Sequence, residues 1–254
     1  MISQIKYFLS GINLLIAKSF FYTQSKFTDI FRDILYTFRK RRFFIMSMEF
    51  ITVSGTSKLD PPNFDLQLAS SRGNSATSRS FSYTSKDVPE IFHEIISNNK
   101  SAIEEYLGDD FLFEAPLFFR TMSIPEEFAN YDIYSNVWHQ DSHDGDLLLK
   151  IFVLLKDVTL NDGPFIFLER KDTIKNWKEL RERWSFSKFK YMSVFPEEKK
   201  VIGKKGDYLI INTANCMHRA SIPQNDRDMA QLALYPKWRR NTDRNTYKFN
   251  NNVK

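Results

Sequence analysis

Apolar residues recur in two different rhythms along the 254-residue chain, and the change of rhythm divides the chain into two parts. Up to residue 45 they follow the three-to-four-residue spacing of a helix, which predicts two amphipathic helices. From residue 46 onward most apolar runs are short, rich in β-branched and aromatic residues, and bounded by turn signals, which predicts strands. We therefore divide the chain into a basic helical N-terminal segment, residues 1–45, and a main domain, residues 46–254.

In the main domain, one predicted strand is followed by predicted helices and then by a series of predicted strands. After a first strand at 49–53, Asp87 opens one helix. Ser101 and Glu104 have the spacing of a capping box for a second helix that ends near Gly108. Strand patterns follow at residues 111–122, 132–138, 147–155, 164–168, 200–202, 207–212 and 229–238. This order predicts a mainly β (α+β) fold, with a double-stranded β-helix (jelly-roll) core and flanking helices.

Composition excludes several classes of function. Cys216 is the only cysteine, so neither an internal disulfide nor a thiolate metal cluster can form, and a cytoplasmic location is expected. The sequence has eight glycines and neither of the glycine-rich phosphate-binding motifs. The net charge of +5 is compatible with an anionic small-molecule substrate, anionic lipid or nucleic acid, and composition does not choose among them.

Basic residues are concentrated in the N-terminal segment. Eight lysines and arginines are opposed there only by Asp29 and Asp33, and the longest uncharged apolar stretch, residues 7–17, is about half of a membrane span. One interpretation is a surface-lying amphipathic helix that contacts an anionic membrane or a partner. The others are a helical pair packed on the core, or a natural start at Met46 or Met48.

A second basic stretch forms an insert between predicted strands, at residues 171–190. It carries Trp177 and Trp184, seven positions apart and thus on one helical face. The insert is either a lid that closes over an anionic substrate and excludes water, or a solvated helix whose tryptophans pack on the barrel.

The clearest chemical signal is the tripeptide His139-Gln140-Asp141 at the end of a predicted strand. Residues i and i+2 of an extended segment point to the same side, so His139 and Asp141 can face one pocket. His218 lies 77 positions after Asp141 and follows the predicted strand at 207–212. Two histidines and one carboxylate form the ligand set of non-haem Fe(II) oxygenases, which leaves coordination positions open.

Three further residues are candidates for binding a carboxylate cosubstrate. Arg227 comes nine positions after His218 and opens the next predicted strand. A guanidinium can hold a carboxylate through two parallel hydrogen bonds, which lysine does less well; the alternative is a turn arginine in solvent. Lys150 and Asn136 are weaker candidates, because each is equally consistent with an ordinary strand residue.

Taken together, these pieces resemble the phytanoyl-CoA dioxygenase family. The likeness is carried by Trp138-His139-Gln140-Asp141-Ser142-His143-Asp144, the strand at 149–155, Gly163-Pro164-Phe165, and the run from Gly206-Asp207-Tyr208 through His218-Arg219 to Arg227, within residues 110–238. The resemblance implies a double-stranded β-helix with His139, Asp141 and His218 as Fe(II) ligands and Arg227 as the 2-oxoglutarate arginine. It also implies hydroxylation of a small molecule with 2-oxoglutarate and O₂.

Two details refine what the resemblance implies. Halogenases of this general type have a small residue in place of the carboxylate ligand, so Asp141 favours hydroxylation or desaturation. Many family members have a Gly-Ser-His turn where this chain has Glu-Arg-Lys-Asp at 169–172. Since that region borders the substrate side, the family does not define the substrate of this protein.

Two other classes of function stay open. One is a non-catalytic jelly-roll module that binds a ligand in the same barrel. The other is a protein that acts on nucleic acid, suggested by basic, aromatic-rich segments. The basic residues of those segments lie at the termini and in one insert, and the sequence contains no recognised nucleic-acid motif, so no nucleic-acid partner is expected.

Overall fold

The computed structural model describes residues 50–71, 78–82, 88–109, 111–123, 136, 138–139, 141, 148–176, 194–236 and 246–248. The predictions for residues 1–45, for most of the strand at 132–138 and for the insert beyond residue 176 lie outside these ranges. Within them, no helix has both the length and the apolar character needed to cross a bilayer.

Short antiparallel strands make up most of the described chain. The helices are α1 (Glu90–Asn98), α2 (Lys100–Leu107) and α3 (Arg170–Lys175). The strands are β1 (Val53–Thr56), β2 (Ser70–Ser71), β3 (Ser78–Ser82), β4 (Leu112–Glu114), β5 (Leu117–Thr121), β6 (Leu149–Leu154), β7 (Phe165–Phe167), β8 (Lys199–Val201), β9 (Asp207–Ile211), β10 (His218–Ala220), β11 (Arg227–Tyr235) and β12 (Thr246–Lys248).

The strands form two antiparallel sheets. The larger sheet has the order β1-β9-β6-β11-β5-β3-β2, and β4 pairs with both β11 and β12. The smaller sheet has the order β10-β7-β8, and His139 pairs with His218 beside it. From β5 onward the chain passes repeatedly between the sheets. The larger sheet contains β5, β6, β9 and β11, and the smaller sheet contains β7, β8 and β10. The predicted jelly roll with flanking helices is confirmed.

Strand β6 is buried on both faces and separates two parts of the core. Its odd-numbered residues, such as Ile151 and Val153, pack in the cluster that contains the apolar faces of α1 and α2. Its even-numbered residues Phe152 and Leu154 pack with β7 of the smaller sheet. Successive side chains of a strand point to opposite faces, so Lys150 points into the space between the sheets.

Two local predictions were wrong. Ser101 does not cap α2, because the helix already begins at Lys100 with Asn99 as the preceding residue and no side-chain cap; Gly108 ends it as predicted. The first strand begins only at Val53, where pairing with Ile210 of β9 starts. Phe50 instead packs its ring against Tyr106 of α2, with ring centroids 5.4 Å apart.

A 3₁₀ turn at Leu160–Asp162 leads into β7 and begins with a reciprocal cap between Thr159 and Asp162. The Asp162 carboxylate accepts hydrogen bonds from the Thr159 amide at 2.7 Å and the Thr159 hydroxyl at 2.6 Å. Gly163 follows at φ +63°, and a side chain there would meet the backbone of Pro223 at 2.6 Å. The sequence Thr-Leu-Asn-Asp-Gly therefore fixes where the Gly163 carbonyl points.

Replacing Asp162 with asparagine is expected to lower the free energy of unfolding by about 1 kcal/mol at neutral pH, because an amide oxygen accepts the two Thr159 hydrogen bonds more weakly than the charged carboxylate does. The Thr159 hydrogen bonds outweigh burial and lower the pKa of Asp162 below its ordinary value of 3.8. The carboxylate thus stabilises the fold above that value, and its contribution is lost as the pH falls through the lower folded pKa. Urea unfolding at pH 7 and pH 3 measures this: the gap between wild type and variant should narrow at the lower pH.

Candidate metal centre

Backbone pairing brings the two histidines together. The His139 amide donates to the His218 carbonyl and the His218 amide to the His139 carbonyl, both at 3.0 Å. Their rings lie side by side with centroids 4.3 Å apart. Together with Asp141 they present one ligand atom each, all within 4.8 Å of one another. The residues that the sequence predicted as metal ligands therefore form one cluster that could hold a metal ion.

Asp141 is positioned by the loop that precedes β10. Its amide donates to the Thr213 carbonyl at 3.1 Å. The side chain of Asn212 holds this loop, because its Oδ1 accepts hydrogen bonds from the amides of Ala214 and Asn215, and its amide group donates to the Tyr106 hydroxyl of α2. Asn212 and Thr213 were not predicted as site residues from the sequence; an asparagine directly after an apolar strand is the turn signal that marks them.

The hydrogen bonding of His218 selects the nitrogen that can bind a metal. Its Nδ1 lies 3.0 Å from the carbonyl oxygen of Cys216, so the Nδ1 proton is donated there and Nε2 keeps its lone pair. Burial and the neighbouring His139 lower the pKa of His218 to about 3. The imidazole is therefore neutral in neutral solution, as a metal ligand must be.

Asp141 supplies the negative charge of the cluster. Burial opposes the charged form, but the charge and hydrogen bond of the Lys150 ammonium and a hydrogen bond from Thr213 favour it, and the pKa of Asp141 lies well below its ordinary value. Lys150 Nζ lies 2.8 Å from Asp141 Oδ2. The structure thus brings Lys150 to the cluster, next to a predicted ligand.

Arg227 is a buried cation of the same interior. As predicted it opens β11, and its side chain is almost entirely buried, at 3% exposure. One Nη group donates to the Gly163 carbonyl, the other to the Thr121 hydroxyl at 3.2 Å. Its Nε has no hydrogen-bond partner, and no carboxylate pairs with it in the part of the chain that the structure describes. Burial lowers the pKa of Arg227 to about 10.

The surroundings of the cluster are apolar and close-packed. The Phe165 ring lies 5.4 Å from the His218 ring and 4.7 Å from that of Phe152. On the other side of the smaller sheet, Trp138 packs against Phe195. Asn136 is buried two positions earlier, and its contact with 2-oxoglutarate stays a prediction. Such walls exclude water from a site while leaving its few polar groups aimed inward.

No protein-family model matches the chain, and no curated protein matches it significantly. Solved structures are similar to it at low identity. HygX from Streptomyces hygroscopicus, with nickel, 2-oxoglutarate and hygromycin B bound, is 15% identical over 81% of this chain and 87% of its own, with a TM-score of 0.46. The α-ketoglutarate-dependent epimerase SnoN from nogalamycin biosynthesis is 13% identical over 66% of each chain (TM-score 0.42). EctD from S. alaskensis with bound Fe is 14% identical over 68% of this chain and 62% of its own (TM-score 0.42).

Proposed function

We propose that the protein is a non-haem Fe(II)- and 2-oxoglutarate-dependent dioxygenase that hydroxylates a small molecule. One observation with two parts carries this proposal. Within a jelly roll, two histidines and a carboxylate converge, and the same interior holds a buried guanidinium without an acidic partner among the described residues. The first is the ligand set of Fe(II) oxygenases. The second is a group that binds a carboxylate, and its burial is costly without one.

The residues fit a divalent iron. His139, Asp141 and His218 would hold it from one side, and open positions would remain for other ligands. When bound, Fe(II) with 2-oxoglutarate and O₂ supplies the oxidising chemistry, in which 2-oxoglutarate is converted to succinate and CO₂ and a C–H bond of the substrate becomes C–OH. The Cys216 carbonyl keeps the His218 ring in the orientation that presents Nε2.

The protein residues bind and orient the cosubstrate in this proposal. Arg227 binds the distal carboxylate of 2-oxoglutarate. Its guanidinium is oriented by the hydrogen bonds that it donates to the Gly163 carbonyl and the Thr121 hydroxyl. Phe152 and Phe165 keep water away from the reacting groups. Because Asp141 provides the carboxylate ligand, hydroxylation is favoured over halogenation. The order of motifs along the sequence also supports placing the protein with the phytanoyl-CoA dioxygenase family.

The substrate class, the cellular location and the membrane contact are proposed from the sequence. The substrate is a small molecule, and the basic segments of the sequence favour an anionic one. The enzyme is expected in the cytoplasm, with residues 1–45 as a peripheral contact to an anionic membrane. Lys150 and Asn136 are expected to assist cosubstrate binding.

Anaerobic addition of Fe(II) and 2-oxoglutarate to the purified protein is expected to produce a visible charge-transfer absorption band, because both would be bound at one centre. The His139→Ala variant should lack the band, and admission of air to the wild type should release succinate. Succinate release without added substrate would also distinguish an enzyme from a ligand-binding module. A wild-type protein that binds 2-oxoglutarate but shows neither band nor succinate would be a non-catalytic jelly-roll module.

A further inference from the structure

A lysine shares the carboxylate of the metal cluster. Lys150 Nζ lies 2.8 Å from Asp141 Oδ2, and the same oxygen lies 3.7 Å from His218 Nε2. The lysine and aspartate side chains are 13% and 10% exposed, so water screens their charges weakly. A cation that takes this carboxylate as a ligand therefore shares it with the Lys150 ammonium.

The position of Lys150 in the sheet keeps its ammonium in the interior. Lys150 lies opposite Ile211 of β9 and Ala233 of β11, in the middle of the larger sheet. Ile211 packs with the apolar residues between the sheets, and Lys150 points to the same side. By contrast, Lys204 and Asp157 form an ion pair at 2.8 Å whose side chains are 81% and 54% exposed, and solvent can replace either partner there.

Two cations next to one carboxylate repel each other, so the ammonium opposes binding of a metal on its own. 2-Oxoglutarate brings two further carboxylates into the interior. A metal on Asp141 weakens the attraction between that carboxylate and the Lys150 ammonium, so the ammonium can pair with a carboxylate of 2-oxoglutarate, whereas without the metal it stays paired with Asp141. Resting on the proposed function, we propose that Lys150 couples the two binding events. It weakens the affinity of the triad for a divalent metal alone, and it strengthens binding of the α-keto acid once the metal is present. By linkage, the cosubstrate must then tighten metal binding by the same factor.

Calorimetric titration of the full-length protein with Ni(II), with and without saturating 2-oxoglutarate, tests this coupling. For the wild type we expect 2-oxoglutarate to tighten Ni(II) binding by tenfold or more, within the usual range of about 5- to 150-fold for coupled sites. The Lys150→Met variant should bind Ni(II) alone about tenfold more tightly than the wild type. The factor by which 2-oxoglutarate tightens Ni(II) binding to this variant should fall below about threefold. Lys204→Met removes the same charge from the surface and should behave as the wild type does.

Variants that keep the charge or the polarity complete the test. Lys150→Arg should retain the coupling, and Lys150→Gln serves as the neutral variant if circular dichroism shows that Lys150→Met does not fold. Equal Ni(II) affinities and equal enhancement in the wild type and the neutral variant would overturn the inference and leave the proposed function intact. Failure of the wild type to bind Ni(II) in a manner that His139→Ala abolishes would overturn the proposed function itself.

Discussion

The Arg227→Met variant is expected to fold with wild-type stability and to bind 2-oxoglutarate about ten- to hundredfold more weakly, since a hydrogen bond to a charged group contributes about 1.5–3 kcal/mol. Burial lowers the pKa of Arg227 to about 10, so its charge opposes folding at every pH below that value, by on the order of 3 kcal/mol. Methionine removes this charge but also the hydrogen bonds to Gly163 and Thr121, and the two effects offset each other. Thermal unfolding and calorimetry with Ni(II) present measure both quantities.

Arg120 offers a matched control on the neighbouring strand β5. Its Nε and Nη2 donate to the two carboxylate oxygens of Asp228 at 2.6 and 2.7 Å, a pairing that, outweighing burial, raises the pKa of Arg120. Arg120→Met leaves the buried Asp228 without this partner and should lower stability by about 3 kcal/mol. It should leave 2-oxoglutarate affinity unchanged. The assignment of Arg227 is wrong if its variant binds 2-oxoglutarate normally while the Arg120 variant does not.

The Asp141→Asn variant is expected to lose metal affinity by more than about hundredfold, because even residues that only support metal ligands are worth 10- to 100-fold. It keeps the volume of the side chain but removes the charge that binds the ion. Fe(II)- and 2-oxoglutarate-dependent succinate formation should fall with it. Ni(II) calorimetry gives the affinity, and Asp157→Asn, an exposed aspartate paired with Lys204, is the matched control with no expected effect.

In the double variant Asp141→Asn/Lys150→Met, stability should recover whereas metal affinity should not. Asp141→Asn leaves the Lys150 ammonium buried without its carboxylate partner, which should cost about 3 kcal/mol. Adding Lys150→Met removes the stranded charge and should restore most of the stability, as measured by urea unfolding. Metal affinity should stay low. Recovery of metal binding in the double variant would show that Asp141 is not a ligand.

The sequence predicted the fold class because strand patterns are local. The run Leu-Lys-Ile-Phe-Val-Leu at 149–154 is apolar on nearly every residue, and the structure buries it on both faces. The three-residue strand β10 was missed, because pairing with β7 rather than intrinsic preference makes it a strand. Likewise Ser101 fits a capping box by spacing alone, whereas the structure begins the helix at Lys100, two residues earlier than a Ser101 cap would.

The cluster of His139, Asp141 and His218 could be predicted from residue chemistry, but its environment could not. The i, i+2 spacing of His139 and Asp141 is visible in the sequence. Contacts across distant positions are not: nothing local indicates that the Lys150 ammonium approaches Asp141, or that Arg227 reaches the Gly163 carbonyl, 64 positions away. The sequence identified Lys150 by residue type, and the sheet register explains its position.

The mutual backbone hydrogen bonds of His139 and His218 have a consequence for the folding stability of the chain. They join positions 79 residues apart, and an unfolded chain must close a loop of that length before one ion can contact both rings, at an entropic cost. An ion at this centre therefore favours the folded chain by mass action. An ion held there would link His139, in the segment that precedes β6, to His218 at the start of β10, and a chelator that removed the ion would lower the free energy of unfolding.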